Sequence, residues 1–150
     1  MNSEVPKKVI VFDFNRTLYD PTTGTLVSGA LEVLQKTAPR FSLVLYTKSG
    51  EDRGRQIRDL GLKPFFKKTI SVENKSAEDL VRLAKELNVK PGEIIVVGDR
   101  IHGEIIAGNK AGCKTVWFCS GKFAQEKPTC EAEKPTQTIF HLSELLELLD

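Results

Sequence analysis

A three-layer α/β fold, a Rossmann-like parallel sheet with helices on both faces, follows from three observations. Short β-branched and aromatic runs alternate with amphipathic stretches, as in successive βαβ units. The runs at 9–12, 41–46 and 94–97 are almost wholly apolar rather than alternating, as strands buried on both faces are. The first and last of these runs end in carboxylates, Asp13 and Asp99, at the strand ends where open α/β sheets carry their ligands. Right-handed crossovers follow. A length of 150 residues fits one domain, 1–150, with a sizeable core.

Taken in order, the run at 9–12 follows Lys7 and Lys8 and is the expected central strand. The polar stretch 19–24, with Pro21 and Gly24, reads as a small hairpin or flap over its end. Ser28 is the expected cap of a helix over 29–38, with Leu31, Val33 and Leu34 apolar and Pro39 as its stop. The second strand, 41–46, ends in Thr47, Lys48 and Ser49, and a helix then runs to Leu60 with Gly61 as its C-cap. A third strand over 69–72 is entered through Pro64, Phe65 and Phe66. Lys75 and Ser76 precede a strongly periodic helix carrying Leu80, Leu83, Ala84 and Leu87. Pro91 and Gly92 turn the chain into the fourth strand, 94–97, which ends in Gly98 and Asp99. A helix through Ala111 stops at Gly112, and a fifth strand over 114–119 places Trp117 in the core. The stretch 120–137, with Pro128 and Pro135, reads as a surface loop longer than most connections. A short strand at 138–140 and an amphipathic helix capped by Ser143 complete the pattern.

Hydrophobic content of 40% and charged content of 28% are ordinary for a globular protein. A formal net charge of +2 makes no bulk electrostatic case for nucleic acid or an anionic membrane. No apolar stretch approaches the roughly 20 residues of a membrane span, and 1–6 lacks the apolar core of a signal peptide. Cys113, Cys119 and Cys130 are odd in number and lack a CxxC spacing, which fits reduced thiols in a cytoplasmic protein. Cys113 and Cys119 read as packing residues and Cys130 as a loop residue.

The chemistry lies in what the strand ends share. In a parallel sheet Asp13, Thr47, Lys75 and Asp99 face the same way, with Asn15 two residues after Asp13 and Glu104 five after Asp99. Two close carboxylates repel unless a cation neutralises them. Mg2+ suits one or two carboxylates with water and phosphate. Thr47 and Lys75 are donors for the oxygens of an anion. A nucleophilic carboxylate, a metal and fixed donors outline a phosphoryl-transfer site.

The residues Asp13-Phe14-Asn15-Arg16-Thr17-Leu18 after a hydrophobic strand resemble the first motif of the haloacid dehalogenase-like (HAD) hydrolase superfamily, Asp-x-Asp-x-Thr. The stretch 43–47 resembles its second motif, Lys75 its third, and Val96-Val97-Gly98-Asp99 with Glu104 its fourth; Gly108-Asn109-Lys110-Ala111-Gly112 fits the helix beyond. The resemblance covers the chain from Val9 onward. It implies that Asp13 is a nucleophile forming an aspartyl-phosphate, and that Asp13, Asp99 and the backbone carbonyl of Asn15 hold Mg2+. It also implies that Thr47 donates to a phosphoryl oxygen, that Lys75 offsets charge on Asp13, and that Glu104 orients Lys75 or a metal-bound water. Blander readings stand beside these: Thr47 as a helix cap, Lys75 as a solvated lysine, and Glu104 as a first-turn acid favoured by the helix dipole.

Two departures shape the expected function. The second Asp of the first motif is Asn15 here, and an amide cannot exchange a proton at neutral pH. General acid–base help is typically worth ~10²–10⁴ in rate, so slow turnover of alkyl phosphates is expected; equally, such a change would trap a phospho-enzyme. Arg16 stands where the family usually has Gly and adds a cation at the mouth, where it and Lys48 are candidate substrate contacts. The second departure is the lack of a cap domain, which leaves an open site. The expected partners are a phosphorylated substrate, large or small, and a second copy of the chain if subunits close the site. Two other functions remain in view, a phosphate-binding or protein-interaction module on the same fold and a dehalogenase, whose halide needs no proton. The paired acids of a two-component receiver domain are not found at the first strand.

Overall fold

The strand β1 (Val9–Asp13) is buried along its whole length, and the sheet grows outward from it in both directions. The structure, a computed structural model, describes residues 7–50 and 52–149; the stretch 1–6 lies outside these. A hairpin, β2 (Tyr19–Asp20) and β3 (Thr25–Leu26), follows β1 and leads to α1 (Ala30–Thr37). Then come β4 (Ser42–Lys48), α2 (Arg53–Asp59), β5 (Lys68–Val72), α3 (Ala77–Leu87), β6 (Ile94–Gly98), α4 (Ile106–Ala111), β7 (Lys114–Phe118), β8 (Gln137–Ile139) and α5 (Glu144–Leu148). The main sheet has the order β5-β4-β1-β6-β7-β8, and every pairing in it is parallel. The order reverses at β1: the chain leaves it first toward β4 and later returns to its other side as β6. That is a topological switch point, where such sheets leave a crevice at their carboxyl ends.

Alternation along β1 supplies both cores. Ile10 and Phe12 join Leu43 and Leu45 of β4, Val33 and Leu34 of α1, and Leu145 of α5. Val9 and Val11 face the other way, with Val44, Tyr46, Leu80, Leu83, Val96 and Ala107. The helices α1 and α5 thus cover one face, and α3 and α4 the other. A Cβ at Gly108 would stand 2.7 Å from Thr115 Cγ2, so only glycine lets α4 approach the sheet this closely.

Several elements differ locally from expectation. Neither expected serine cap acts as one. Gly29 occupies the N-cap of α1 at φ 86°, a conformation serine adopts poorly. At α5, Ser143 makes no side-chain capping bond; the Glu144 carboxylate instead accepts the Phe140 and His141 N–H groups, each at 2.9 Å. The strand β4 runs on through Thr47 and Lys48 because both pair with β5, so Thr47 belongs to a strand and does not cap the next helix. The strand β7 stops at Phe118, one residue short of the expected end. The expected continuous helix after β6 begins as a wide turn over Ile101–Ile105, with Gly103 at φ −123°, ψ −107°. Ile105 N–H reaches back five residues to Arg100 O at 3.3 Å, and this turn carries Glu104 inward.

The stretch 120–137 is a surface segment, but a tethered one. Asn109 Nδ2 donates to Ala132 O and Lys134 O, both at 2.8 Å, and Glu126 accepts the Ile101 N–H at 2.8 Å. No helix among the described residues is long and apolar enough to cross a membrane. The three cysteines are free. Burial pushes the Cys113 thiol up to about 11, which suits a packing residue. Cys119 is half-buried and Cys130 exposed.

Candidate active site at the switch point

Asp13 ends β1 inside a cleft of about 170 Å³ that Asn15, Arg16, Thr47, Lys75 and Asp99 also line. Both its carboxylate oxygens are held. Lys75 Nζ donates to Oδ1 at 2.5 Å, and Thr17 Oγ1 donates to Oδ2 at 3.1 Å. Lys75, its side chain only 5% exposed, also donates to Glu104 Oε1 at 2.9 Å. Burial alone would lower the Lys75 pKa, but the charges of Asp13 and Glu104 overcome this and raise it. The ammonium is therefore a permanent charge between two acids.

The strand ends explain how these groups meet. Tyr46 of β4 donates its hydroxyl to Asp79 Oδ2 at 2.5 Å and accepts the Ser76 N–H at 2.9 Å. Burial, then the bond to Asp79, raises the Tyr46 pKa, so the phenol stays neutral. It pins the start of α3, and Lys75 stands immediately before that start. Glu104 enters from the opposite side. A Cβ at Gly98 would overlap its carboxylate, so the glycine before Asp99 makes the room Glu104 occupies.

Asp99 is only 1% exposed. Trp117 Nε1 donates to its backbone carbonyl at 2.9 Å, which anchors the turn after β6. Arg16 Nε donates to its Oδ2 at 3.0 Å. Among the described residues its Oδ1 is buried without a hydrogen-bond partner. A buried, orphaned carboxylate oxygen is costly, and here oxygens of Asp13, Asp99 and Glu104 lie within 4.8 Å of one another. This donor set is all oxygen, as a hard divalent cation requires. Glu104 is the least suited of the three to be a ligand, since Lys75 takes its Oε1 and the Arg100 N–H takes its Oε2 at 2.8 Å. Asp13 and Asp99 are left as the carboxylates for a cation.

The charges agree with this. Three acids face two cations, Lys75 and Arg16. Burial, then the charges of Asp13 and Glu104, push the Asp99 pKa up to about 8, against the pull of Arg16. Burial and Asp13 likewise raise Glu104, in spite of Lys75. A divalent cation favours the ionised form of Asp99 and so competes with protons for it; Mg2+ is therefore expected to release protons on binding and to bind more tightly as pH rises from about 6 toward about 8. Calorimetry in buffers of different ionisation heat, repeated at pH 6 and pH 8, measures both effects.

At the mouth, Arg16 pairs with Asp99 and lies 4.8 Å from the Phe123 ring, with Arg100 4.1 Å from the same ring. Arg16 also sits at φ 63°, the left-handed region that costs a non-glycine residue ~1–2 kcal/mol. Arg16→Gly should relieve that strain and tighten Mg2+ by about tenfold, since ~1.4 kcal/mol of removed repulsion is a factor of ten. A Mg2+ titration of both chains, followed by heat or intrinsic fluorescence, decides it. Lys48 is exposed at the cleft edge. Thr47 is buried, and its Oγ1 donates to Lys48 O at 3.1 Å. Asn15 Oδ1 accepts from Arg53 Nη1 at 3.3 Å. His102 lies off the carboxylate cluster, paired with Glu126 at 2.9 Å and Glu133 at 3.3 Å.

The structure thus brings Asp13, Lys75, Asp99 and Glu104 into direct contact or close proximity, with Asn15, Arg16, Thr47 and Lys48 around them. Sequence reading missed Thr17, Arg53 and Trp117 as groups that position the site. Thr17 carried a signal, its place in the first motif; Arg53 and Trp117 carried none.

Comparison with known proteins follows the same lines. Residues 75–145 match the family model described as HAD-hydrolase-like. A glyceraldehyde 3-phosphate phosphatase of Pyrococcus furiosus is 44% identical over 66 residues, 44% of this chain and 27% of its own length. The enzyme of the same name from Methanopyrus kandleri is 33% identical over 95 residues, 60% of this chain and 41% of its own length. The chain thus spans less than half the length of either relative. Among solved structures, a magnesium-bound protein of Bacillus subtilis assigned to the HAD-hydrolases superposes with a TM-score of 0.81 at 16% identity, covering 97% of this chain and 100% of that one. A 2-haloacid dehalogenase of Pseudomonas syringae gives 0.78 at 16% identity, covering 95% and 98%. Likeness at that identity establishes the fold alone, and it extends to phosphatase and dehalogenase names alike.

Proposed function

We propose that this chain, which belongs to the HAD-like hydrolase superfamily, is a Mg2+-dependent phosphatase working through an aspartyl-phosphate on Asp13, and a slow one because Asn15 stands in for the acid–base residue. The observation that carries the reading is the ammonium of Lys75 shared between Asp13 and Glu104, with the orphaned Oδ1 of Asp99 in the same cluster. Asp13, Asp99 and the backbone carbonyl of Asn15 would hold Mg2+, which when bound supplies charge to neutralise phosphoryl oxygens.

The chain's own residues do the rest. Thr17 and Lys75 hold the Asp13 carboxylate in one orientation. One of its oxygens attacks phosphorus, forming an O–P bond as the bond to the leaving oxygen breaks. The leaving oxygen departs as the oxyanion, because Asn15 offers a hydrogen bond and no proton. Thr47 and Lys48 would donate to the phosphoryl oxygens. Water then cleaves the aspartyl-phosphate, returning phosphate and free Asp13, again without a carboxylate base at position 15.

The chain is read as one HAD-like unit with the β2–β3 hairpin where others carry a cap, so the substrate range is open. Glyceraldehyde 3-phosphate, from the relatives' names, is the first ester to test, beside a phosphorylated protein. The ion pair of Arg16 on Asp99 favours a second reading, a phosphate-binding module with impaired catalysis. Hydrolysis of 4-nitrophenyl phosphate with and without Mg2+ separates them. Mg2+-dependent release of nitrophenol that disappears in Asp13→Asn is expected. Equal rates in native chain and variant would overturn the phosphatase reading, and Mg2+ binding without turnover would select the module.

A further inference from the structure

We infer that Arg53 is a positioning residue that fixes the Asn15 carboxamide with its oxygen turned away and its NH2 presented to the cleft, converting the usual proton-exchanging position into a fixed hydrogen-bond donor. The inference rests on the phosphatase reading for its catalytic meaning, but on geometry for its substance.

Arg53 opens α2, far from β1 in sequence. Its guanidinium lies 4.8 Å from the Phe14 ring centre, and Phe14 is wholly buried and stacked on Tyr19 at 5.1 Å. Nη1 donates to Asn15 Oδ1 and to Gln56 Oε1, each at 3.3 Å. Among the described residues Nε is buried without a partner, and the guanidinium meets the ring and two amide oxygens, with the charge of Asp13 also acting on it. An arginine has five donors and no acceptor, and an amide has one acceptor end and one donor end. The end of Asn15 that meets Arg53 must therefore be the oxygen. The other end, the Nδ2 group, is left for the cleft that Asn15 lines.

That orientation matters to an anionic ligand. A phosphoryl group or departing oxygen meets two N–H donors. A flipped amide would present a lone pair and repel it. Removing one fixed donor from a developing oxyanion typically costs ~10²–10³ in rate. The benefit grows with the charge on the leaving oxygen, so it is largest for alkyl esters and smallest for nitrophenyl esters.

The test needs no turnover. In 15N spectra the Asn15 side-chain NH2 pair is identified by its absence in Asn15→Asp. In the native chain the pair should show no strong cross-relaxation to the Arg53 guanidinium protons, and it should move when Mg2+ and inorganic phosphate are added. Strong Nδ2–guanidinium cross-relaxation overturns the inference, and this reading requires no variant to fold. In Arg53→Met the pair should shift toward the position of a free amide; a pair unmoved by that substitution also overturns it. In kinetics, Arg53→Met should lower kcat on an alkyl phosphate about tenfold more than on 4-nitrophenyl phosphate, with KM little changed. Equal losses on both esters would reduce Arg53 to a structural role. A native chain that hydrolyses neither ester sinks the phosphatase reading, while the amide spectra still decide the positioning.

Discussion

Asn15→Asp is expected to raise Mg2+-dependent hydrolysis of alkyl phosphates by roughly 10²–10⁴, the usual worth of a positioned acid–base group. The gain on 4-nitrophenyl phosphate should be smaller in the first step, because nitrophenolate leaves without a proton. The argument is one of bond balance. When Asp13 takes the phosphoryl group from an alkyl ester, the departing alkoxide has a conjugate acid far weaker than any group in the cleft. Lys75 cannot serve, since Asp13 and Glu104 hold its proton more firmly than usual. Asn15 and Arg53 can donate hydrogen bonds but not protons at neutral pH. A carboxyl at position 15 supplies the missing proton and then, as carboxylate, takes one from the attacking water. Steady-state rates on one alkyl and one aryl ester, measured in both chains, test this. An unchanged alkyl rate in Asn15→Asp would mean that protonation does not limit turnover.

The fold and the outline of the site were legible because both are written in local pattern. Continuous apolar runs mark strands buried on both faces, and a parallel sheet sends all their ends to one side. Asp13, Thr47 and Asp99 therefore had to share an edge once β1, β4 and β6 were neighbours, and Lys75 follows β5 closely enough to reach it. What lay beyond the pattern depends on backbone angles and cross-chain packing. Arg16 turns onto Asp99 because residue 16 takes a left-handed conformation, which no side-chain periodicity reports. Glu104 reaches Lys75 because the chain makes a wide turn over Ile101–Ile105 instead of starting a regular helix, and because Gly98 leaves room for it. Arg53 meets Asn15, and Trp117 meets the Asp99 carbonyl, through tertiary contacts. The two serine caps failed for a related reason: capping propensity is a weak local preference, and at α1 and α5 a positive-φ glycine and a glutamate answered the same need.

The largest stability effect is expected at Lys75. Its side chain and those of Asp13 and Glu104 are all less than a tenth exposed, so Lys75→Met leaves two buried carboxylates facing Asp99 without the ammonium that ion-pairs with both of them. Removing one partner of a buried ion pair typically costs ~3–5 kcal/mol, a large part of the ~5–15 kcal/mol that holds a domain folded. The sign of the pH dependence follows. Without the ammonium, Glu104 loses the charge and hydrogen bond that hold it down, and its folded-state pKa moves further above its unfolded value. The folded state then binds more protons than the unfolded state, and stability falls as pH rises. Lys75→Met should therefore recover stability as pH falls from about 8 toward 5, the range in which the raised carboxyl of Asp99 titrates, and recover it again with Mg2+. The native chain should show a weaker trend of the same sign. Urea unfolding at pH 5 and pH 8, with and without Mg2+, measures this directly, and Lys75→Arg should keep most of the native stability by keeping the charge. A loss that ignores both pH and Mg2+ would point to the contact of Lys75 with the Tyr46 ring, 5.0 Å away, as its main contribution. The charge balance assigned to Asp13, Asp99 and Glu104 would then be wrong.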